Sequence, residues 1–214
     1  MGTVLLVRHG ETTWNREGRV QGWAPTPLTE RGREQARTLG AHLADDGVDR
    51  VVASDLRRAA ETARFVGRAT DAPLAFDRGW RERGFGVYQG LYYEALFEGH
   101  PEFALSEVGY AAATAEPEGG ESLLAARERV LDALDRLVAD LDGETVAVVT
   151  HGGPIRMVLG ELRGLDVVEA VLELDVDNCS ITELRVEGGE PGLVEACATV
   201  SGAPETDREG RGTY

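Results

Sequence analysis

Two short apolar runs dominate the hydrophobic pattern, and a histidine and a glycine follow each of them closely. Residues 4–7 lead into His9, and residues 146–149 lead into His151. Four-residue apolar runs of this kind fit buried parallel strands better than helices. Because open α/β sheets bind ligands outside the carboxyl ends of their strands, we predict that the two histidines face one site at a sheet edge.

Helical periodicity separates these strands. Thr29 is a typical helix cap, and apolar positions recur after it at helical spacing until about Gly47. A similar pattern predicts a helix within residues 124–141, and the run 51–53 predicts another strand. Strands that alternate with helices predict an α/β fold, here a three-layer α/β/α sandwich around a mainly parallel mixed sheet.

The last part of the chain has a strand-like pattern. Residues 171–174, 180–186 and 193–198 each read as a short strand, with a turn at Gly188 and Gly189. We therefore expect the sheet to end in strands with little helix between them.

Length and composition indicate one hydrophobic core. The chain has 214 residues, of which 42% are hydrophobic, and it contains no segment that resembles a linker. We predict a single domain over residues 1–200 with a lid-like insertion at about 91–120. Residues 201–214 are mostly polar, and we expect this tail to be disordered.

The charge is strongly negative. There are 38 acidic and 22 basic residues, the formal charge is −16, and every basic residue is arginine. Such a protein repels nucleic acid and anionic membranes, so we expect its arginines to gather where an anion enters. Two hypotheses explain the imbalance: adaptation to high salt, where charges are screened within roughly 3 Å at molar ionic strength, or a high-GC genome.

Cys179 and Cys197 lie in strand-like segments without zinc-ligand spacing. We read them as small buried hydrophobes, and a disulfide between them stays open. The sequence starts directly in a strand, and no apolar run approaches the roughly 18 residues of a membrane span. The expectation is a cytoplasmic protein with no membrane partner.

Three further segments carry candidate chemistry. Gly152 and the glycine after it open a predicted helix, where backbone amides can approach an anion. Arg57 and Arg58 follow the strand at 51–53, with Ser54 or Asp55 expected to cap the helix that contains them. Composition alone does not choose between the two arginines.

The third segment is a loop in which Glu82 lies between Arg81 and Arg83, next to aromatic residues. A carboxyl group in such a loop could supply a proton. The competing interpretation is a solvated carboxylate paired with its flanking arginines.

Taken in chain order, these segments resemble the histidine phosphatase superfamily (phosphoglycerate mutase-like, branch 1). The resemblance covers roughly residues 3 to 186. It rests on Arg8-His9-Gly10-Glu11-Thr12 with Trp14-Asn15, Gln21-Gly22-Trp23, Ser54-Asp55-Leu56 with Arg58-Ala59, Glu82 with Gly86, His151-Gly152, and Asn178-Cys179-Ser180. The fold that it implies is phosphoglycerate mutase-like.

The resemblance implies a set of catalytic residues. His9 would attack phosphorus and carry the phosphoryl group as phosphohistidine. Arg8, Arg58 and His151 would neutralise the charge on the phosphoryl oxygens. Glu82 would protonate the departing oxygen and later deprotonate the incoming water.

The family spacing also favours Arg58 over its neighbour. It implies a substrate-binding set made of Asn15, Gln21, Gly22 and Gly152. No metal and no cofactor are expected, because arginines do the work of a divalent cation. The implied partner is a small phosphorylated substrate, and the protein is expected to be a monomer or homodimer.

Two enzymatic functions compete. Phosphoglycerate mutases typically continue the Glu82 segment as Asn-Glu-Arg-His-Tyr-Gly and carry a basic insertion. Residues 81–86 here have neither asparagine nor histidine, and residues 91–121 contain no arginine. A phosphomonoester hydrolase is therefore favoured, although residues 89–91 keep a mutase-like pattern. A non-catalytic phosphate-sensing or protein-binding module is the third hypothesis, and it predicts that a core catalytic residue is missing.

Overall fold

The computed structural model describes residues 1–202, which form one six-stranded sheet with helices on both of its faces. The strands are β1 (Gly2–Arg8), β2 (Arg50–Ala53), β3 (Leu74–Phe76), β4 (Thr145–Thr150), β5 (Ile181–Glu187) and β6 (Glu190–Ala198). Their order in the sheet is β3-β2-β4-β1-β5-β6. The first four in this order are parallel, whereas β5 and β6 run antiparallel to their neighbours. The predicted mainly parallel mixed sheet is confirmed.

The helices vary widely in length. They are α1 (Thr13–Glu17), α2 (Glu30–Asp45), α3 (Arg57–Thr70), α4 (Tyr93–Gly99), α5 (Leu105–Val108), α6 (Tyr110–Thr114), α7 (Leu123–Ala139), α8 (Gly152–Arg163) and α9 (Val167–Glu173). Short 3-10 turns occupy Arg78–Trp80, Gly86–Tyr88 and Pro101–Phe103.

Both faces of the sheet are covered, which explains the continuous apolar runs. Val4 and Leu6 of β1 pack into a core with α7, α8 and α9. Leu5 and Val7 point to the other face, into a core with α2 and α3. A parallel strand buried on both faces is apolar at every position, so the three-layer α/β/α prediction is confirmed.

The beginning of α2 agrees with its sequence signal. The Thr29 side chain accepts a hydrogen bond from the Gly32 amide, and the helix continues to Asp45 before Gly47 takes a positive φ of 66°. The predicted helix after residue 123 is also present, as α7.

The predicted cap of α3 was wrong. Its N-cap is Leu56, which makes no side-chain capping bond. The hydroxyl of Ser54 instead lies 2.8 Å from a ring nitrogen of His151, and the carboxylate of Asp55 accepts two hydrogen bonds from Arg81. Both side chains therefore connect the turn before α3 to other segments, at His151 and Arg81.

The strand predicted at 171–174 was also wrong, because this run belongs largely to α9. Asp166 and Glu169 form a capping box that starts this helix. A short, mostly apolar segment does not separate helix from strand by itself, and the capping pair outside it decides the outcome. The strands near 180–186 and 193–198 and the turn at Gly188 are present.

The segment 91–120, predicted as a lid-like insertion, contains α4, α5 and α6. Leu96 and Phe103 from this segment pack with Val20 and Phe85 in a third apolar cluster. Within residues 1–202, no helix is long and apolar enough to cross a membrane. The tail expected to be disordered falls almost entirely on residues 203–214, which lie outside the described part of the chain.

Candidate active site

Two strand ends bring the predicted histidines together. Arg8 at the end of β1 is in register with Thr150 at the end of β4, and the His9 amide donates to the Thr150 carbonyl at 2.9 Å. The rings of His9 and His151 are 5.1 Å apart, edge to face. Both side chains are almost fully buried, so they lie deeper than an exposed sheet rim.

Hydrogen bonds define which nitrogen of His9 can react. Its Nδ1 lies 2.7 Å from the Gly10 carbonyl, which can only accept, so Nδ1 carries the hydrogen. Arg58 Nε donates to Nε2 at 3.2 Å, so Nε2 is the unprotonated nitrogen and its lone pair accepts this hydrogen bond. Burial, Arg58 and Arg8 lower the pKa of His9 well below 6.5, and His9 is therefore neutral.

The structure separates the two candidate arginines. Arg58 is buried, and its terminal nitrogens donate to the carbonyls of Gly22 at 2.9 Å and Ala24 at 3.3 Å. Burial lowers the pKa of Arg58 to about 10, so it remains charged at neutral pH. Arg57 is exposed and pairs with Glu61 on the helix surface. Only Arg58 of this pair reaches His9.

The two ring nitrogens of His151 differ in their hydrogen bonding. Its Nε2 lies 2.8 Å from the Ser54 hydroxyl, while its Nδ1 is buried without a hydrogen-bond partner among residues 1–202. Burial lowers the pKa of His151 well below 6.5, and the positive charge of Arg58 lowers it further. A buried polar atom without a partner indicates a place where a ligand completes the hydrogen bonding.

Arg8 and the first turn of α8 close another side of the site. A Cβ placed on Gly152 would lie 3.7 Å from Arg8 Nε and 3.9 Å from its Cζ. These are ordinary contact distances, and they place the Arg8 guanidinium group directly beside this helix N-terminus. Helix N-termini attract anions through their amides and their dipole.

Glu82 lies against the same helix start. Its Oε2 accepts a hydrogen bond from the Gly153 amide at 3.2 Å, and its Oε1 accepts one from the Arg83 amide at 3.0 Å. The flanking guanidinium groups bond elsewhere: Arg81 to Asp55 at 2.6 Å, and Arg83 to main-chain carbonyls. Glu82 is thus held by two main-chain amides, and its role as proton donor stays a prediction.

The predicted substrate-binding residues occupy different positions. Asn15 completes the capping box of α1, in which its Oδ1 accepts from the Thr12 amide, so only its Nδ2 could donate to a phosphate. Gln21 is buried and accepts from the hydroxyls of Thr12 and Thr26. Gly22 holds Arg58 through its carbonyl. Direct substrate contacts by Asn15, Gln21 and Gly22 stay predictions.

Residues without a predicted role hold the reacting segment in place. The Asn178 side chain donates to the His9 carbonyl at 2.8 Å, and the Gly10 amide donates to the Thr62 hydroxyl at 3.1 Å. Ser54, predicted only as a cap, contacts His151. Their presence in the family pattern was the only signal in the sequence, since hydrogen bonds between distant segments leave no local trace.

The cysteines are both unpaired. Cys179 is buried, and burial raises the pKa of its thiol to about 12. It lies in a turn with a positive φ of 56°, so its predicted strand position was wrong. Cys197 is half-buried in β6, and no disulfide joins the two.

The arrangement of a neutral histidine, buried arginine and helix N-terminus at adjoining strand ends defines a class of phosphate-handling enzymes. The chain belongs to the histidine phosphatase superfamily (branch 1), whose family model matches residues 4–199. The resemblance stated from the sequence is confirmed.

Individual relatives support the same assignment. The chain is 34% identical over 206 residues to Phosphoglycerate mutase-like protein 4 of Arabidopsis thaliana, covering 95% of this chain and 87% of that protein. It is 37% identical over 157 residues to the Metal-independent phosphoserine phosphatase of Arabidopsis thaliana, covering 72% and 66%. The solved structure of Bacillus stearothermophilus YhfR is similar with a TM-score of 0.84 and 29% identity, covering 92% and 98%.

Proposed function

We propose that this protein is a metal-independent phosphomonoester hydrolase that acts on a small phosphorylated metabolite through a phosphohistidine at His9. The observation that carries the proposal is the state of the His9 ring: neutral, with its lone pair on Nε2 and the Arg58 guanidinium beside it. A neutral imidazole is nucleophilic, and a fixed cation stabilises the charge that its attack creates.

In the first step, the Arg58 guanidinium exchanges its hydrogen bond to His9 Nε2 for one to a phosphoryl oxygen, and the freed Nε2 lone pair attacks phosphorus in line. A P–N bond forms as the P–O bond to the alcohol breaks. Glu82 in its protonated form gives its proton to the departing oxygen. The alcohol leaves neutral, and Glu82 becomes a carboxylate that the Gly153 amide can stabilise.

In the second step, Glu82 accepts a proton from a water molecule as its oxygen attacks phosphorus. The P–N bond breaks, inorganic phosphate leaves, and His9 and Glu82 return to their starting states. The two steps use one proton donor in opposite directions, as microscopic reversibility requires.

Four groups would hold the phosphoryl oxygens in both steps. They are the guanidinium groups of Arg8 and Arg58, the Nδ1 of His151 and the amides at Gly152. Nδ1 of His151 can donate when Nε2 accepts from the Ser54 hydroxyl, which is the tautomer that the proposal requires. Asn15 Nδ2 adds a donor, and the carbonyls of Gly22 and Ala24 keep Arg58 in place. Gln21 supports the same loop, because its carbonyl accepts from the Ala24 amide.

A phosphoglycerate mutase is the second candidate, because one relative is named phosphoglycerate mutase-like. A mutase would return the phosphoryl group to the substrate and exclude water. The hydrolase is preferred because segment 91–121 contains no arginine and another relative is a metal-independent phosphatase. A non-catalytic module is disfavoured, since none of the five predicted catalytic residues is missing.

The remaining sequence predictions belong to this proposal. Residues 1–200 act as one domain with a lid-like insertion at 91–120, as a monomer or homodimer. Free thiols at Cys179 and Cys197 are typical of reducing compartments such as the cytoplasm. The charge of −16 argues against nucleic acid and anionic membranes as partners.

The test is phosphate release from p-nitrophenyl phosphate and from metabolite esters in EDTA, with His9→Ala and the matched control His42→Ala, whose side chain is exposed on α2. Release that is lost only in His9→Ala supports the hydrolase. Interconversion of 2- and 3-phosphoglycerate without release would move the function to a mutase. Neither activity would favour the binding module.

A further inference from the structure

The segment that carries Glu82 has no regular secondary structure of its own. Residues 81–85 lie between two short 3-10 turns, so their main-chain groups cannot pair within a helix or a sheet. Side chains from other parts of the fold supply donors instead. The Thr150 hydroxyl donates to the Trp80 carbonyl at 2.7 Å, and the Trp23 indole donates to the Glu82 carbonyl at 2.7 Å.

One guanidinium group, that of Arg129 on α7, bonds to several carbonyls of this segment. Its Nη1 donates to the carbonyls of Gly79 at 2.8 Å and Arg81 at 3.0 Å. Its Nη2 lies 3.4 Å from the Glu82 carbonyl, and Nη2 and Nε also bond to the carboxylate of Glu121. Each of the five N–H donors of the guanidinium therefore has an acceptor, and only arginine has this planar fork of donors.

Glu121 holds the other end of the segment. Its carboxylate accepts a hydrogen bond from the Gly84 amide at 3.1 Å, and its own amide donates to the Gly84 carbonyl at 3.0 Å. Its carbonyl accepts from Arg83 Nε at 3.1 Å. A single ion pair thus contacts both ends of residues 79–84, with Glu82 between them.

We propose that Arg129 and Glu121 are positioning residues, which hold the main chain around Glu82 so that its carboxyl group reaches the departing oxygen. The inference rests on the proposed function, in which Glu82 protonates that oxygen. The pair acts through the main chain, because the carboxyl oxygens of Glu82 bond to the amides of Arg83 and Gly153.

The ion pair is also shielded enough to fix a geometry. The side chains of Arg129 and Glu121 are 23% and 15% exposed. Hydrogen bonds between charged groups are stronger than those between neutral groups, and a planar guanidinium adds geometric specificity. Loss of this pair would let residues 79–84 shift, and a displacement of about 1 Å of a catalytic group can cost roughly 10²-fold in rate.

The experiment compares kcat/KM for ethyl phosphate and p-nitrophenyl phosphate in Arg129→Gln. Ethyl phosphate needs a proton on its leaving oxygen, whereas nitrophenolate leaves with little help. We expect kcat/KM to fall by about 30- to 100-fold for ethyl phosphate and by less than about threefold for p-nitrophenyl phosphate. Glu121→Ala removes the partner of Arg129 and should show the same selective loss.

A double-mutant cycle with Glu82→Gln separates positioning from a general structural role. If Arg129 acts through Glu82, adding Arg129→Gln to Glu82→Gln should lower kcat/KM for ethyl phosphate by less than about threefold further. A general loss of structure would lower the activity of Glu82→Gln as much as that of the unmodified protein.

Two more variants complete the design. Arg129→Lys retains the charge but has one nitrogen that cannot reach all the acceptors. It is the milder change if Arg129→Gln does not fold, and its selective loss should be at least about tenfold. The control is Arg127→Gln, since Arg127 lies on the same helix and pairs with Glu161 of α8. It should leave kcat/KM for both esters unchanged.

The outcomes distinguish the inference from the proposed function. Equal decreases for both esters in Arg129→Lys, no decrease for ethyl phosphate, or an undiminished effect in the Glu82→Gln background would overturn the inference. The proposed function would stand if release still depends on His9. No His9-dependent release from either ester by the unmodified protein would overturn the proposed function itself.

Discussion

Replacement of Gly153 by alanine should displace the carboxyl group of Glu82, the proposed proton donor, while leaving Glu82 itself in the sequence. A Cβ at this position would lie 2.0 Å from Glu82 Oε1 and 3.0 Å from its Cδ. Ordinary contact begins near 3.4 Å, so the carboxyl group must shift by about 1 Å or more. The contact is with the end of a flexible side chain, and the fold can accommodate it.

The magnitude follows from the role of Glu82. A misplacement of about 1 Å can cost roughly 10²-fold, and general acid catalysis contributes about 10² to 10⁴-fold. We expect kcat/KM for ethyl phosphate to fall by about 100-fold in Gly153→Ala, because its leaving oxygen needs a proton and kcat/KM reports transfer to His9 without the later attack of water. With p-nitrophenyl phosphate, whose leaving group needs little protonation, the decrease should stay below about tenfold.

The assay is steady-state hydrolysis of both esters, with melting temperature as a check on folding. The control is Gly67→Ala in α3, where a Cβ would make only an ordinary contact of 3.4 Å with the Ala72 carbonyl. It should leave both rates unchanged and, because alanine favours helix, should not lower stability. Equal decreases in kcat/KM for both esters in Gly153→Ala would refute the assignment of Glu82 as the acid.

Three further predictions follow from the buried histidines and the charge. Below about pH 6.5 His9 binds a proton in the unfolded chain but stays neutral in the folded protein, where its pKa is lowered. The folded protein therefore loses stability as the pH falls from about 6.5 toward the lowered pKa of His9. The decrease in melting temperature from about pH 7.5 to 5.5 should be smaller in His9→Gln than in His42→Gln, and equal decreases would contradict it. Ser54→Ala removes the hydrogen-bond partner of His151 Nε2. It should lower kcat by about tenfold with little change in KM, because a lost buried hydrogen-bond partner costs roughly 1–3 kcal/mol. A change confined to KM would contradict this prediction. If salt adaptation explains the charge of −16, melting temperature should increase from low to molar KCl; no change would favour genome composition.

The sheet and the meeting of its histidines were predictable because they depend on local patterns. The apolar runs before His9 and His151 are continuous because both faces of their strands are buried. The two strands are parallel neighbours, so the histidines that follow them lie at the same edge of the sheet. The cap at Thr29 was equally local.

Features that depend on contacts between distant segments were not predictable. Ser54 bonds to His151, 97 residues away, and so does not cap α3. The pattern of residues 171–174 predicts a strand, but Asp166, which lies outside this segment, caps a helix that includes most of it. Composition could not choose between Arg57 and Arg58; the family spacing favoured Arg58, and its contacts with His9 and with the carbonyls of Gly22 and Ala24 give the physical reason.

The most direct test of the account is to quench the enzyme during turnover under alkaline conditions, where phosphohistidine survives, and map the phosphoryl group by mass spectrometry. The account predicts one added phosphoryl group on the peptide that contains His9, absent in His9→Ala and retained in His42→Ala. A phosphoryl group on His151, or turnover without any phosphorylated histidine, would contradict it.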